Sequence, residues 1–328
     1  LSVGLISGLF HYVVGFIFFA QVEVSWIYAM VSASLFAMVS LVWLLLAFVG
    51  AVRAFHLVAT SFTAGTITSI LTAYFLGLYL NDVGYILGML VGNSVIVVIG
   101  LTALAREFDS AVSFNFEWVG FFKKAPSLAI AGGVYYAAIW SSIMIYWFTV
   151  GDPVQPHVLY AYEPLDLASF YAQMTILPAV IIFYVHNETG FYEDYRGFYN
   201  AVMAKKNLAI IERQKDILKE NLKDALVNLT LIQAVVTFTT VCFARPIQQA
   251  LEMSDLERQL FVNMTLGAFP QAILLFVMVI MFYFQLYPES AVTAGVAWVG
   301  CLLVGGWTIF AGENTYGLGL LGGTLLGL

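Results

Sequence analysis

Long uninterrupted apolar runs decide what this chain can become. Ten of them follow one another, at about residues 1–20, 27–51, 55–80, 84–104, 127–149, 167–186, 225–243, 260–285, 290–310 and a short 314–328. Most are roughly 18 to 27 residues long, the length a helix needs to cross about 30 Å of hydrocarbon. None alternates polar and apolar with period two, as the strands of a membrane barrel do. Hydrocarbon offers no water to unpaired backbone groups, so runs of this kind must be helical. Composition agrees. The chain is 61% hydrophobic and only 10% charged, and its mean hydropathy is +0.90, whereas a soluble domain carries about 25% charged residues. The expected fold class is an all-α, polytopic membrane protein.

The few charges orient the spans. Arg53, then Arg106, Lys123 and Lys124, then the seven bases from Arg196 to Lys223 fall in the second, fourth and sixth connections, so eleven of the 13 basic residues share one face. Basic loops mark the cytoplasmic side. The opposite loops are acidic, with Glu23, Asp82, Asp152, Glu163, Asp166, Glu252, Asp255, Glu257 and Glu313. Ten spans of this parity put both ends of the chain in the cytosol. The chain opens inside an apolar stretch at Leu1 with no charged segment before it, unlike a signal peptide. It reads as a fragment whose own N-terminus lies upstream.

One segment, 187–224, is both long and polar. Its later part places Leu208, Ile211, Leu218, Leu222 and Leu226 near helical spacing, with Lys and Glu on the other face. That pattern predicts an amphipathic helix that feeds straight into the next span and suits the membrane surface or a docking surface for a cytosolic partner. Its start, "HNETGFYEDYRGFY", sets Phe191, Tyr192, Tyr195, Phe198 and Tyr199 on one helical stripe. Glu193, Asp194 and Arg196 fall between them. The expectation is a helix running along the headgroup layer with its aromatics in lipid.

Catalytic signatures are missing. There is no GxxxxGK[ST], GxGxxG or HExxH, and the four histidines (His11, His56, His157, His186) are scattered at span ends. Cys242 and Cys301 sit inside apolar runs as packing residues. No enzyme, metal, cofactor or nucleic acid is therefore expected. The spans do hold polar groups: Asn93, Gln173, Gln233, Asn263 and Gln271, with the helix breakers Pro178 and Pro270. Each is costly in lipid unless it pairs with another group or lines a hydrated path. No charge sits at the middle of a span, which argues against a proton- or sodium-driven pump. The external stretch Gly151 to Pro178 sets Tyr160, Tyr162, Phe170 and Tyr171 around Glu163 and Asp166. Such aromatics stack on sugar faces or form an interfacial belt.

Tyr162 to Val202, "YEPLDLASFYAQMTILPAVIIFYVHNETGFYEDYRGFYNAV", resembles the signature region of the PelG family, inner-membrane proteins of the bacterial Pel exopolysaccharide system. The residues that carry the likeness are Asp166, Ile176, Pro178, Glu188, Thr189, Phe191, Tyr192, Tyr195, Phe198 and Tyr199, with Tyr316-Gly317 near the end. The family is similar to the polysaccharide branch of the MATE/MOP flippase superfamily, with twelve helices in two bundles. The resemblance implies that this chain holds helices three to twelve, with the remainder of a first bundle over 1–150 and a second over 151–328. It departs from the family where an acid–base pair often follows a tryptophan by two residues: here Trp140 is followed by Ser141, Ser142 and Ile143.

The implied function is inner-membrane export of a polysaccharide through a cavity between the bundles. A cytosolic glycosyltransferase (PelF-like) and accessory membrane proteins (PelD-like and PelE-like) are the implied partners. Candidate glycan-pathway residues are Trp140, Tyr162, Glu163, Asp166 and Gln173. Candidate partner-contact residues are Glu188, Tyr192, Tyr195, Arg196, Tyr199, Lys205, Lys206 and Lys215. A lipid-linked oligosaccharide flippase is the neighbouring alternative, disfavoured because Lys and Arg are almost absent from the spans. A non-transporting scaffold of a synthase complex is the third reading, and a membrane acyltransferase the last.

Overall fold

The computed structural model describes residues 2–22, 24–51, 55–107, 116–155, 159–186 and 190–328. Glu23, Arg53, His157, Glu188 and Thr189 lie outside the described residues. The chain divides into two compact units, Leu1–Lys124 with Gln155–Val158, and Ala125–Val154 with Leu159–Leu328.

The first unit holds α1 (Ser2–Phe19), α2 (Trp26–Ala51), α3 (Phe55–Glu107) and the short α4 (Val119–Lys124). α1 packs on α2 and α2 on α3, around Val42, Leu45, Ile96 and Val97. α3 is a folded-back pair of arms. At Asn81 the backbone leaves the helix (φ 52, ψ −131), with a positive φ that is uncommon for a non-glycine residue. The arms then run antiparallel: the Thr72 hydroxyl donates to the Gly88 carbonyl at 3.0 Å. A β-carbon at Gly88 would collide with the backbone of Ala73, so glycine is what lets the arms close. The two arms are the predicted spans 55–80 and 84–104.

The second unit runs α5 (Pro126–Thr149), a strand pair β1 (Asp152–Gln155) and β2 (Leu159–Ala161), α6 (Glu163–Met174), α7 (Leu177–His186), α8 (Tyr192–Met203) and α9 (Leu208–Cys242). It continues with α10 (Ala244–Ala250), α11 (Asp255–Tyr283), α12 (Tyr287–Ala311), a 3-10 turn (Glu313–Thr315) and α13 (Leu318–Gly327). Among the described residues eight helical segments are long and apolar enough to cross a membrane, with α3 counted once and α6 and α7 joined in one span, Glu163–Phe183. The ten predicted runs map onto these eight, plus the second arm of α3 and the short α13. Phe170 and Tyr171, inside the predicted span 167–186, lie on α6, and the helix starts earlier than that span, at Glu163.

α11 is the axis of this unit. A capping box starts it: the Ser254 hydroxyl accepts from the Glu257 backbone, and the Glu257 carboxylate accepts from the Ser254 N–H. These satisfy donors that a helix start leaves open. More than half of its spanning window is buried, against α6, α9, α12 and α13. α5 packs chiefly on α12, so the compact unit takes in 126–149, which the sequence expectation assigned to the bundle before it. Outward-facing side chains are apolar, as lipid requires: Phe310 is 91% exposed, and Leu303 and Phe238 are also exposed.

Polar segment 187–224 differs from expectation. α9 is one continuous helix of 35 residues, ~52 Å at 1.5 Å per residue, which exceeds a ~30 Å hydrocarbon core. Its amphipathic half therefore continues the span outward instead of lying along the surface. Much of the aromatic stripe at α8 packs on protein as well. Phe191 is buried and meets Tyr283 edge-on at 5.1 Å. Tyr195 packs on Tyr283 and Phe284 at 5.7 and 5.8 Å. Leu218, Ala225 and Leu229 of α9 close the same core. The Asn221 amide also donates to the Asp194 carboxylate at 2.6 Å. Two apolar stripes that would each suit a membrane surface cover one another, and α8 with the first half of α9 forms a helical hairpin.

Phe191→Ala is expected to cost about 3–5 kcal/mol, the range for a buried Phe. Met203→Ala at the exposed hairpin tip should stay within ~0.5 kcal/mol. Unfolding of the purified protein in detergent measures both.

Candidate functional site

α5 and α6 share a face that carries polar and aromatic side chains. On α5, Tyr136 and Trp140 follow each other by one turn, 60% and 53% exposed, and Trp147 lies 6.4 Å from Trp140 between ring centres. The Trp147 indole N–H donates to Asp166 of α6 at 2.7 Å. A carboxylate is disfavoured against acyl chains, so this face suits water or a polar ligand better.

Deeper in the span, α11 supplies a bridge. Gln173 of α6 and Gln271 of α11 exchange two amide hydrogen bonds, at 3.0 and 3.1 Å. Gln271 is also hydrogen-bonded to Tyr135 of α5. One α11 side chain thus ties α5 and α6 together. Gln173 stays half-buried, while Gln271 and Tyr135 are buried.

A second cluster locks the acidic end of the unit. The Tyr146 hydroxyl pairs with Thr308 at 2.6 Å and accepts from the Gly317 N–H at 3.0 Å. Gly317 has φ +84, a left-handed conformation in which a β-carbon is strained. The Asn263 amide donates to the carbonyls of Asn314 and Tyr316 at 2.9 and 2.8 Å. The Tyr316 ring meets Tyr146 at a tilt at 4.9 Å and Tyr162 edge-on at 6.1 Å. Burial, then the Glu313 carboxylate, pushes the Tyr162 phenol above its ordinary value, so it keeps its proton and can donate.

Of the predicted pathway residues, Trp140, Asp166 and Gln173 fall on the α5–α6 face, joined by Trp147, Gln271, Tyr135 and Tyr136. Tyr162 belongs to the Tyr316 cluster, and Glu163 stands exposed in the first turn of α6. Trp147, Tyr135 and Tyr136 escaped sequence reading because in-span aromatics look like lipid belt. Ser142, where the resemblance leads us to expect charge, is fully buried and donates to the Ile139 carbonyl at 2.6 Å. A charge at that position here would be buried. Of the predicted contact residues, Arg196, Tyr199, Lys205, Lys206 and Lys215 are exposed on the α8–α9 hairpin, Tyr192 is half-buried, and Tyr195 turns inward. Among the described residues no group of three or more His, Cys, Asp or Glu could hold a metal ion.

Fold and face together define a multi-pass helical membrane protein with a polar, aromatic surface on its spans. The sequence profile of PelG, described as "Putative exopolysaccharide Exporter (EPS-E)", matches residues 1–328, the whole chain. The chain belongs to the PelG family. No curated protein and no solved structure matches it.

Gln173 and Gln271 should be energetically coupled. A double-mutant cycle with Gln173→Leu and Gln271→Leu is expected to give about 0.6–1.7 kcal/mol, the range for hydrogen bonds between membrane helices. Thermal unfolding in detergent reads it.

Proposed function

We propose that this protein passes a growing exopolysaccharide outward across the bacterial inner membrane, in step with a cytosolic glycosyltransferase that makes it. The α5–α6 face is its glycan contact in this unit. The observation that carries the reading is the run Tyr136, Trp140, Trp147, Asp166 and Gln173 along two membrane-spanning helices. Aromatic rings offer flat faces for sugar rings. The carboxylate and amides accept and donate to hydroxyls at intervals along the path. Tyr162 and Glu163 extend the same chemistry to the acidic end. This is a transporter's work: binding and release along a track, with no bond made or broken by the chain itself. The two-bundle, MATE/MOP-like arrangement is part of this reading.

The α8–α9 hairpin is the proposed contact for the glycosyltransferase, with PelD-like and PelE-like membrane proteins as further partners. Its support is geometric and electrostatic. The hairpin continues α9 past the bilayer, and no acidic residue interrupts the sequence from Tyr195 to Ile211, while Arg196, Lys205 and Lys206 stand there. Exposed Met203, Leu208 and Ile210 supply apolar anchors beside the charges. Glu188, outside the described residues, belongs to the same proposed contact.

Trp140→Ala should lower polymer export roughly two- to tenfold, the equivalent of an aromatic stack of about 0.5–1.5 kcal/mol, with Trp140→Phe retaining most of it. Secreted polymer per cell at matched protein level checks this. Charge reversal at Lys205, Lys206 and Lys215 together should weaken recovery of the glycosyltransferase in pull-down. Unchanged recovery would remove the hairpin from the interface.

A further inference from the structure

The span Glu163–Phe183 is broken. α6 stops at Met174 and α7 starts at Leu177, with Thr175 and Ile176 in a turn between them. Pro178 accounts for the break: it has no N–H, and its ring crowds the carbonyl of the residue four before it. Carbonyls at such a break lose their helical donors and need partners in hydrocarbon. The Thr175 carbonyl, in the turn itself, finds one on α9. The Gln233 amide, fully buried, donates to the Thr175 carbonyl at 3.3 Å and to the Thr237 hydroxyl at 3.4 Å. Both bonds are long. Among the described residues no donor reaches the Gln233 Oε1. The amide therefore holds the break with one half of its hydrogen-bonding capacity and leaves the other half idle, in a place where an unmet acceptor is unfavourable.

The two halves of the span belong to different cores. Leu165, Ala168 and Ala172 of α6 pack with Tyr146, Leu260, Met264 and Leu320 toward the acidic end. Ile176, Ala179 and Phe183 pack with Phe191, Leu218, Leu229 and Phe276 toward the hairpin. α11 carries Pro270 beside Gln271, the residue that grips α6 just before the break. The neighbour thus lacks a ladder bond close to the same level. A small apolar gap lined by Ala179, Phe183, Leu229 and Ala272 lies beside α7.

We propose that Thr175–Ile176 is a hinge and Gln233 its latch, so that α7 swings with the α8–α9 hairpin while α6 stays fixed to α11. In the second position the Thr175 hydroxyl, which now donates to the Ala172 carbonyl at 2.6 Å, turns to the idle Gln233 Oε1. The hinge joins the α5–α6 face to the hairpin mechanically, and it stands whatever the carrier moves.

Pairs of spin labels in reconstituted protein test it, on a background with the exposed Cys242 replaced by Ser. One pair joins Leu303 of α12 to Phe170 of α6; the other joins Leu303 to Ile181 of α7. All three sites are exposed. Gln233→Leu is expected to shift the Ile181 distance distribution by more than its own width and to leave the Phe170 distribution in place. Pro178→Ala, which restores a backbone donor and lets the helix run on, should narrow the Ile181 distribution and serves if Gln233→Leu fails to fold. If the two pairs shift together, if neither shifts, or if only Phe170 does, the span is a single lever and the proposal is overturned.

Discussion

Hydrocarbon supplies no hydrogen bonds, so each polar group placed in a span must find its partner in the protein. In the second unit that constraint converges on α11. Gln271 meets Gln173 and Tyr135, and Asn263 holds the turn after α12 by two carbonyls. Helices α5, α6, α12 and α13 are tied to one axis by these side chains, and their apolar faces then pack around it. Lipid is as apolar as leucine and gives little drive to pack one helix on another, so the amides and small residues do the selecting.

The spans and their class were legible in the sequence because the lipid constraint acts on composition, residue by residue. The continuity of the amphipathic segment with the next span was legible as well. What covers an apolar stripe was not. Phe191 and Tyr195 read as membrane anchors because periodicity shows that one face is apolar but not whether lipid or protein meets it. Tyr283 and Phe284, nearly ninety positions later in sequence, answer that only in three dimensions. The break at Thr175 was hidden in the same way. Pro178 was visible, but the Gln233 amide that makes the break tolerable comes from another helix.

The candidate site shows the same division. Trp140, Asp166 and Gln173 stood out as polar or amphipathic groups in or near spans. Their joining by Trp147 and Gln271 depends on α5 and α6 being held by α11, which no local pattern encodes. The result has three parts. An aromatic and amide face lies along the spans, a tyrosine cluster locks the acidic end, and a hairpin carries most of the basic charge of this unit at the other end. Membership of the PelG family gives these parts an exporter's context.

The central claim is that polymer touches the α5–α6 face. A photoreactive amino acid in place of Trp140, set against one in place of Phe310, tests it in cells that are making polymer. Phe310 is the most exposed large apolar side chain of the unit and points to lipid in this account. The account predicts carbohydrate covalently attached at position 140 and none at 310, with the 140 adduct lost when synthesis is stopped. Equal labelling at the two positions, or none at 140 while export continues, would contradict it.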